Sequence, residues 1–384
     1  MHRWDIVVAG HLCLDISPAF DGRQPRKTEE LFCPGRLIQV GGAVISSGGL
    51  VANTGFALTR LGLRVLPAAR IGDDEFGAML GAIAKQETGC DIPKKPAMRT
   101  SYSVILSPPG IDRIILHDPA GNDTFSSDDI DFESVGQAGF FHFGYPPLLK
   151  KIYADGGAEL LQVFREAKSS GAVTSLDMSL PDPASESGQV DWPHILERTL
   201  PFVDIFMPSI EEALLMLDRP GYDRIMAQFG GDFTDHLDFS LIRALGNKIL
   251  RMGPKVAFIK CGAHGVYIKT ADTDSMTAIG KAEWAGRELF QPTYVVRNFK
   301  SALAGGDTTI AGFLTGMIRG FALEDCARIA CKTGALCCTT YDAISGILPL
   351  HEVLSLIKTE PAKNKTGLPI GWLRWEEDQE IYTI

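Results

Sequence analysis

Between Ser301 and Leu314 the chain reads Ser-Ala-Leu-Ala-Gly-Gly-Asp-Thr-Thr-Ile-Ala-Gly-Phe-Leu, which brings two chemical capacities together. Three small residues, Ala304, Gly305 and Gly306, lead directly into a carboxylate, Asp307. Behind it Ile310, Phe313, Leu314 and Met317 fall at i, i+3, i+4 and i+7, the spacing of an amphipathic helix. The carboxylate is therefore expected at a helix start whose N–H groups no bulky side chain covers. Free N–H groups and the helix dipole favour an anion there. An anion site beside a base is the pairing that phosphoryl transfer to a hydroxyl requires: one part steadies the phosphate, the other takes the proton. The plainer role for Asp at such a place is a helix N-cap.

The elements that must position this carboxylate alternate along the chain. Strands are predicted at 5–10, 65–69, 140–143, 173–177, 203–207, 256–260 and 266–269. Helices are predicted from Asn53 to Leu61, from Glu75 onward, and over 158–168, 211–217, 239–251, 308–319 and 325–338. Alternation of this kind implies an α/β fold with a mainly parallel sheet covered on both faces. Ligands of such sheets bind at the carboxyl ends of the strands, the edge Asp307 should face. Residues 101–106 and 113–116 flank Pro108-Pro109-Gly110 and read as a hairpin outside this rhythm. Residues 18–36, with three Pro and several charges, read as an irregular loop.

Composition narrows the partners. The 384 residues are 45% hydrophobic, with 37 Lys and Arg against 47 Asp and Glu, a formal charge of −10. An acidic chain repels nucleic-acid backbones and anionic membranes, so neither is expected as a partner. The eight Cys include no C-x-x-C pair or zinc-like spacing, and several lie in apolar runs. His11, His117, His142 and His264 also lack the spacing of metal ligands, so structural or solvent roles are expected for them. With no apolar leader at the N-terminus and no run of membrane-spanning length, the expected location is the cytoplasm. No Walker A sequence occurs, and no Gly-x-Gly-x-x-Gly follows the first strand, which disfavours P-loop kinases and dinucleotide oxidoreductases.

From about residue 5 to about residue 350 the chain resembles the ribokinase-like (PfkB) carbohydrate kinase family. The family's Gly-Ala-Gly-Asp segment, which opens a helix, reads Ala304-Gly305-Gly306-Asp307 here, and Ala311-Gly312-Phe313 also fits. The second signature, a Gly-Gly pair, an Asn and spaced glycines, is matched by Gly48-Gly49, Asn53, Gly62 and Gly72; Val51 and Gly55 depart from it. Asp15 matches a family carboxylate that accepts sugar hydroxyls. The resemblance implies Asp307 as general base and the Ala304, Gly305 and Gly306 backbone as an anion hole. It implies Asp15, Gly48, Gly49, Asn53 and Arg113 as acceptor contacts. Ser209, Lys260, Gly262 and Gly265 would meet the nucleotide, and Glu212 would reach Mg²⁺ through water. Ser209 stands where the family has Asn. Ser301 stands where many members have an Asp tied to a monovalent cation, and Ala302 where a Thr or Val is usual.

Several of these residues also have plainer readings. Asn53 reads equally as the N-cap of its helix, Asp15 as a solvated loop carboxylate and Gly48-Gly49 as a tight turn. Glu212 reads as an exposed helix charge, and Arg113 as a solvated strand residue.

The resemblance implies a three-layer αβα sandwich with a small β lid. The expected boundaries are 1–12, 40–98 and 120–359 for the core. Lid and substrate-covering segments are expected at 13–39 and 99–119, and a C-terminal extension at 360–384. The implied activity is ATP- and Mg²⁺-dependent phosphoryl transfer to a hydroxyl of a small sugar or nucleoside, in a homodimer joined through the lid. A different acceptor, such as a vitamin-like hydroxymethyl group, is a weaker reading. The alternative from another class is a catalytically weak member that binds sugar or nucleotide as a sensor, for which Ser209, Ser301 and Ala302 speak.

Overall fold

The computed structural model describes residues 2–20, 34–108, 114–230, 234, 236 and 238–360, and the two short strands Leu373–Arg374 and Tyr382–Thr383. Six strands run parallel in the order Val65–Ala68, Trp4–Gly10, Ala138–Gly144, Val173–Leu176, Ile205–Phe206 and Val256–Lys260. Gly265–Thr270, Glu288–Pro292, Tyr382–Thr383 and Leu373–Arg374 continue the same sheet antiparallel. The predicted C-terminal extension thus contributes two edge strands.

Alternate residues of the first strand serve opposite faces, as a pleated strand requires. Ile6 and Val8 pack with Leu80, Ile310, Phe313 and Ile329, whereas Val7 and Ala9 pack with Phe164, Leu196, Leu214 and Leu245. Both faces are therefore covered by helices, in three layers. On the first face helix Gly305–Ile318 lies against helix Leu323–Cys337. The approach is close: a Cβ on Gly312 would stand 2.8 Å from the Ala330 Cα.

A second sheet stands apart, in the order Ala43–Gly48, Cys13–Pro18, Tyr102–Leu106 and Ile114–Asp118. The predicted hairpin is present, with Tyr102 opposite Asp118 and Leu106 opposite Ile114. The boundary expected at residue 40 needs correction. Ala43–Gly48 does not lie in the main sheet but pairs antiparallel with Cys13–Pro18. Of the predicted loop at 18–36, residues 21–33 lie outside the described residues, as do Pro109, Gly110 and Arg113.

The helix predicted to begin at Asn53 begins earlier. Val51–Phe56 forms a π-helical turn that runs into Ala57–Arg60. Gly49 turns the chain at φ +83°, and Leu50, Val51 and Ala52 are already buried, so apolar packing rather than a polar cap sets the start. Asn53 is therefore inside the helical segment, and its side chain is free for another role.

Candidate active site

The carboxyl ends of the parallel strands bring the predicted residues together. Ala304 precedes helix Gly305–Ile318 in the left-handed region at φ +57°, a conformation that costs a non-glycine residue ~1 kcal/mol. Asp307 is the third helical residue and caps nothing: the helix has no side-chain cap. It is buried, and its carboxylate is gripped from two sides. Asn53 Nδ2 donates to Oδ2 at 3.1 Å. Tyr145 O–H lies 2.7 Å from Oδ1 and 2.8 Å from Oδ2. Burial pushes the Asp307 carboxyl above its ordinary range, while Lys260 and the Tyr145 and Asn53 hydrogen bonds pull the other way. The Gly305 N–H is turned to Ala302 O at 3.2 Å, so the expected anion hole loses one donor. Helix geometry leaves the N–H groups of Gly306 and Asp307 without intrahelical partners.

The residues expected to hold the acceptor are continuous with this. Asn53 N donates to Gly49 O at 2.9 Å. A Cβ on Gly49 would stand 2.5 Å from His11 Nδ1, and one on Gly48 would stand 2.1 Å from Asp15 Oδ2, so only glycines permit this approach. Asp15 is buried, not a solvated loop residue. Burial raises its carboxyl to about 6, against hydrogen bonds from Cys13 and Ser103. The His11 ring lies 6.1 Å from that of Tyr145, which closes the ring of side chains from Asp15 to Asp307. Asn53 Oδ1 is buried without a protein partner, an acceptor left over at the same place.

On the other side of the helix start lies a cavity of about 420 Å³, within the range of small-ligand sites. Gly262, Gly265, Lys260, Gly305 and Gly306 line its polar end, and Val296 and Phe299 belong to its apolar wall. Lys260 Nζ donates to Asp177 Oδ1 at 2.5 Å and lies 4.0 Å from Glu212 Oε2. Burial disfavours that ammonium charge, but Asp177, Glu212 and Asp307 outweigh burial and hold it protonated. A Cβ on Gly306 would lie 3.4 Å from Lys260 Cδ, so the helix start rests directly on the lysine stem.

Two expectations change here. Ser209 caps helix Ile210–Leu217: its Oγ accepts from Glu212 N at 3.2 Å, and Glu212 Oε2 accepts from Ser209 N at 2.6 Å. The Ser209 hydroxyl is thus occupied within its own helix and does not line the cavity, and Glu212 is buried rather than an exposed charge. Ser301 likewise uses its Oγ on Leu303 N at 3.0 Å. Asp177 Oδ2 is buried without a protein partner, so Asp177 and Glu212 form the donor set that fits a hydrated divalent cation.

Tyr145 and Asp177 escaped the sequence reading. Each immediately follows a strand of the main sheet, Ala138–Gly144 and Val173–Leu176. The rule that ligands meet strand carboxyl ends was the available signal for both.

The layered sheet with its separate lid is the ribokinase-like α/β fold. The sequence pattern of the pfkB family of carbohydrate kinases matches residues 5–349, and the chain belongs to that family. An uncharacterised sugar kinase of Archaeoglobus fulgidus is 25% identical, over 76% of this chain and 97% of its own length. A fructokinase of Solanum tuberosum is 22% identical over 92% of this chain and 95% of its own. A protein from E. coli crystallised with ATP and Mg²⁺ superposes with a TM-score of 0.67 at 19% identity, covering 93% of this chain and 99% of that one. Among the described residues no helix is long and apolar enough to cross a membrane.

Proposed function

We propose that this chain transfers the γ-phosphoryl group of ATP to a hydroxyl of a small sugar, with Asp307 as the general base. The observation that carries the reading is the placement of Asp307. Its buried carboxylate stands at a helix start that opens onto a 420 Å³ cavity on one side and borders the cluster of Asp15, Gly48-Gly49 and Asn53 on the other.

Asp15, the Gly48-Gly49 turn and Asn53 hold the acceptor, in keeping with the sugar kinases among its relatives. A hydroxyl entering between Asn53 and Tyr145 meets the Asp307 carboxylate, which takes its proton as the phosphoryl group arrives. Burial raises the basicity of Asp307, which suits it to that proton. The N–H groups of Gly306 and Asp307 and the Lys260 ammonium face the negative charge of the transferred group. The Gly262–Gly265 turn borders the phosphates. Mg²⁺, when bound, neutralises phosphate oxygens, and Asp177 and Glu212 would hold it through water. The departure at Ser209 is a helix cap, so it gives no support to a sensor without catalysis.

Asp307→Asn keeps the shape and removes the base. It should leave the far-UV circular dichroism and ATP affinity unchanged and lower turnover by ~10²–10⁴-fold, read as ADP release over a panel of sugars. Near-wild-type turnover on the best acceptor would remove Asp307 from this role.

The lid sheet carries a further part of the reading, the joining of two copies. Ile45, Ile16, Val104 and Leu116 stand opposite one another in a single cross-strand row. Both ends of the row are exposed, Ile45 at 45% and Leu116 at 50%. An apolar row across a small sheet is a surface that a second lid would cover.

A further inference from the structure

His11, Cys13 and His117 are far apart in sequence, and no spacing rule joins them. The fold brings them together. His11 lies between strand Trp4–Gly10 of the main sheet and the lid, Cys13 opens the lid strand Cys13–Pro18, and His117 lies on the lid's edge strand Ile114–Asp118. One ligand atom from each lies within 4.8 Å of the other two. The two Nε2 atoms are 3.3 Å apart. Two imidazole nitrogens on one tetrahedral Zn²⁺, at ~2.0–2.1 Å each, stand about 3.3 Å apart.

The surroundings suit a cation. His11 and Cys13 are buried and His117 is partly so. The other nitrogen of His117, Nδ1, is 3.1 Å from Ser103 Oγ, a partner that orients the ring. Asp15 Oδ1 accepts from Cys13 Sγ at 3.4 Å and places a carboxylate beside the cluster.

We propose that His11, Cys13 and His117 form a binding site for a soft divalent cation of the Zn²⁺ class, which clips the edge of the lid to the core. On binding, the Cys13 S–H proton leaves to solvent and an S–metal bond takes its place, while each imidazole contributes a lone pair. Three protein ligands leave a fourth position for water or for an oxygen of a bound ligand. Asp307 takes no part in the site, although His11 and Asp15 also border the proposed acceptor site.

The test uses the full chain and metal alone. Titration with Zn²⁺ against a chromogenic chelator should give one tight equivalent per chain. Co²⁺ in its place should show tetrahedral d–d absorption with a sulfur-to-metal charge-transfer band. Cys13→Ser should abolish that band. His117→Ala, at a partly exposed edge strand, should weaken Zn²⁺ binding by more than about 100-fold, since even an outer-sphere partner can cost that much. Circular dichroism verifies that both variants fold. Amide exchange over residues 114–118 should slow on addition of Zn²⁺. Absence of a stoichiometric equivalent overturns the site, as does binding that survives undiminished in both variants. Unchanged exchange at 114–118 in the Zn²⁺-loaded chain overturns the clip.

Discussion

Asp15 carries a pH dependence of its own. The folded chain holds its carboxyl at about 6, against an ordinary value of 3.8, because burial penalises the charge. Between those values the folded state keeps a proton that the unfolded state has lost, so the stability contributed by Asp15 falls as pH rises through that window. The interval corresponds to ~3 kcal/mol. Urea unfolding at pH 4 and pH 7 should show the stability of the wild type, relative to Asp15→Asn, dropping by about that amount. A difference that does not vary with pH would show that Asp15 is not buried as described. At this scale the sequence was legible where a polar or small residue adjoined an apolar pattern, as at Asp307, Asn53 and Gly48-Gly49. Tyr145, which meets Asp307 across 162 positions, was marked in the sequence only by its place after a strand. Ser209 carries two readings because a helix cap and a ligand contact draw on the same residue types.

The helix Gly305–Ile318 is set by what lies behind it. Gly312 has backbone of Ile329 and Ala330 within 2.8 Å of where a Cβ would stand, and Gly316 has Cys326 Sγ at 2.9 Å. Ala is favoured over Gly within a helix by ~1 kcal/mol, but overpacking costs ~1–3 kcal/mol, and backbone cannot step aside as a flexible side chain can. Gly312→Ala should therefore destabilise the chain, by ~1–2 kcal/mol in urea unfolding. It should also lower turnover, because the helix start that carries Asp307 moves with the helix. A stabilised Gly312→Ala protein would mean that the two helices have room to part. The helix, and the strand–helix alternation before it, were readable because each is a local repeat, but the expected exposed face was wrong: every residue from Ile310 to Met317 is buried. The strand Ala43–Gly48 was not, since its pairing with Cys13–Pro18 is set by the lid sheet and not by its own residues.

For the whole molecule, the apolar row across the lid predicts association. Light scattering on a sizing column should report two copies for the wild type, and Leu116→Asp should shift the population to one copy while leaving circular dichroism unchanged. A wild type that elutes as a single copy at micromolar concentration would leave that row without the partner proposed for it. That the sheet is mainly parallel was implied by the alternation of elements. The antiparallel continuation through Tyr382–Thr383 was not, because two-residue strands leave no periodic trace. The bond from Asn53 to Asp307 also bears on how the chain comes into being. It joins residues 254 positions apart, and Thr54 reaches the Asp307 carbonyl across nearly the same gap. At ~5–20 residues per second, a ribosome needs roughly 10–50 s to travel from one to the other. Throughout that interval the amino-terminal half exists with Asn53 lacking its carboxylate, so the site is among the last features of the newborn chain to form, and a prematurely ended chain has none.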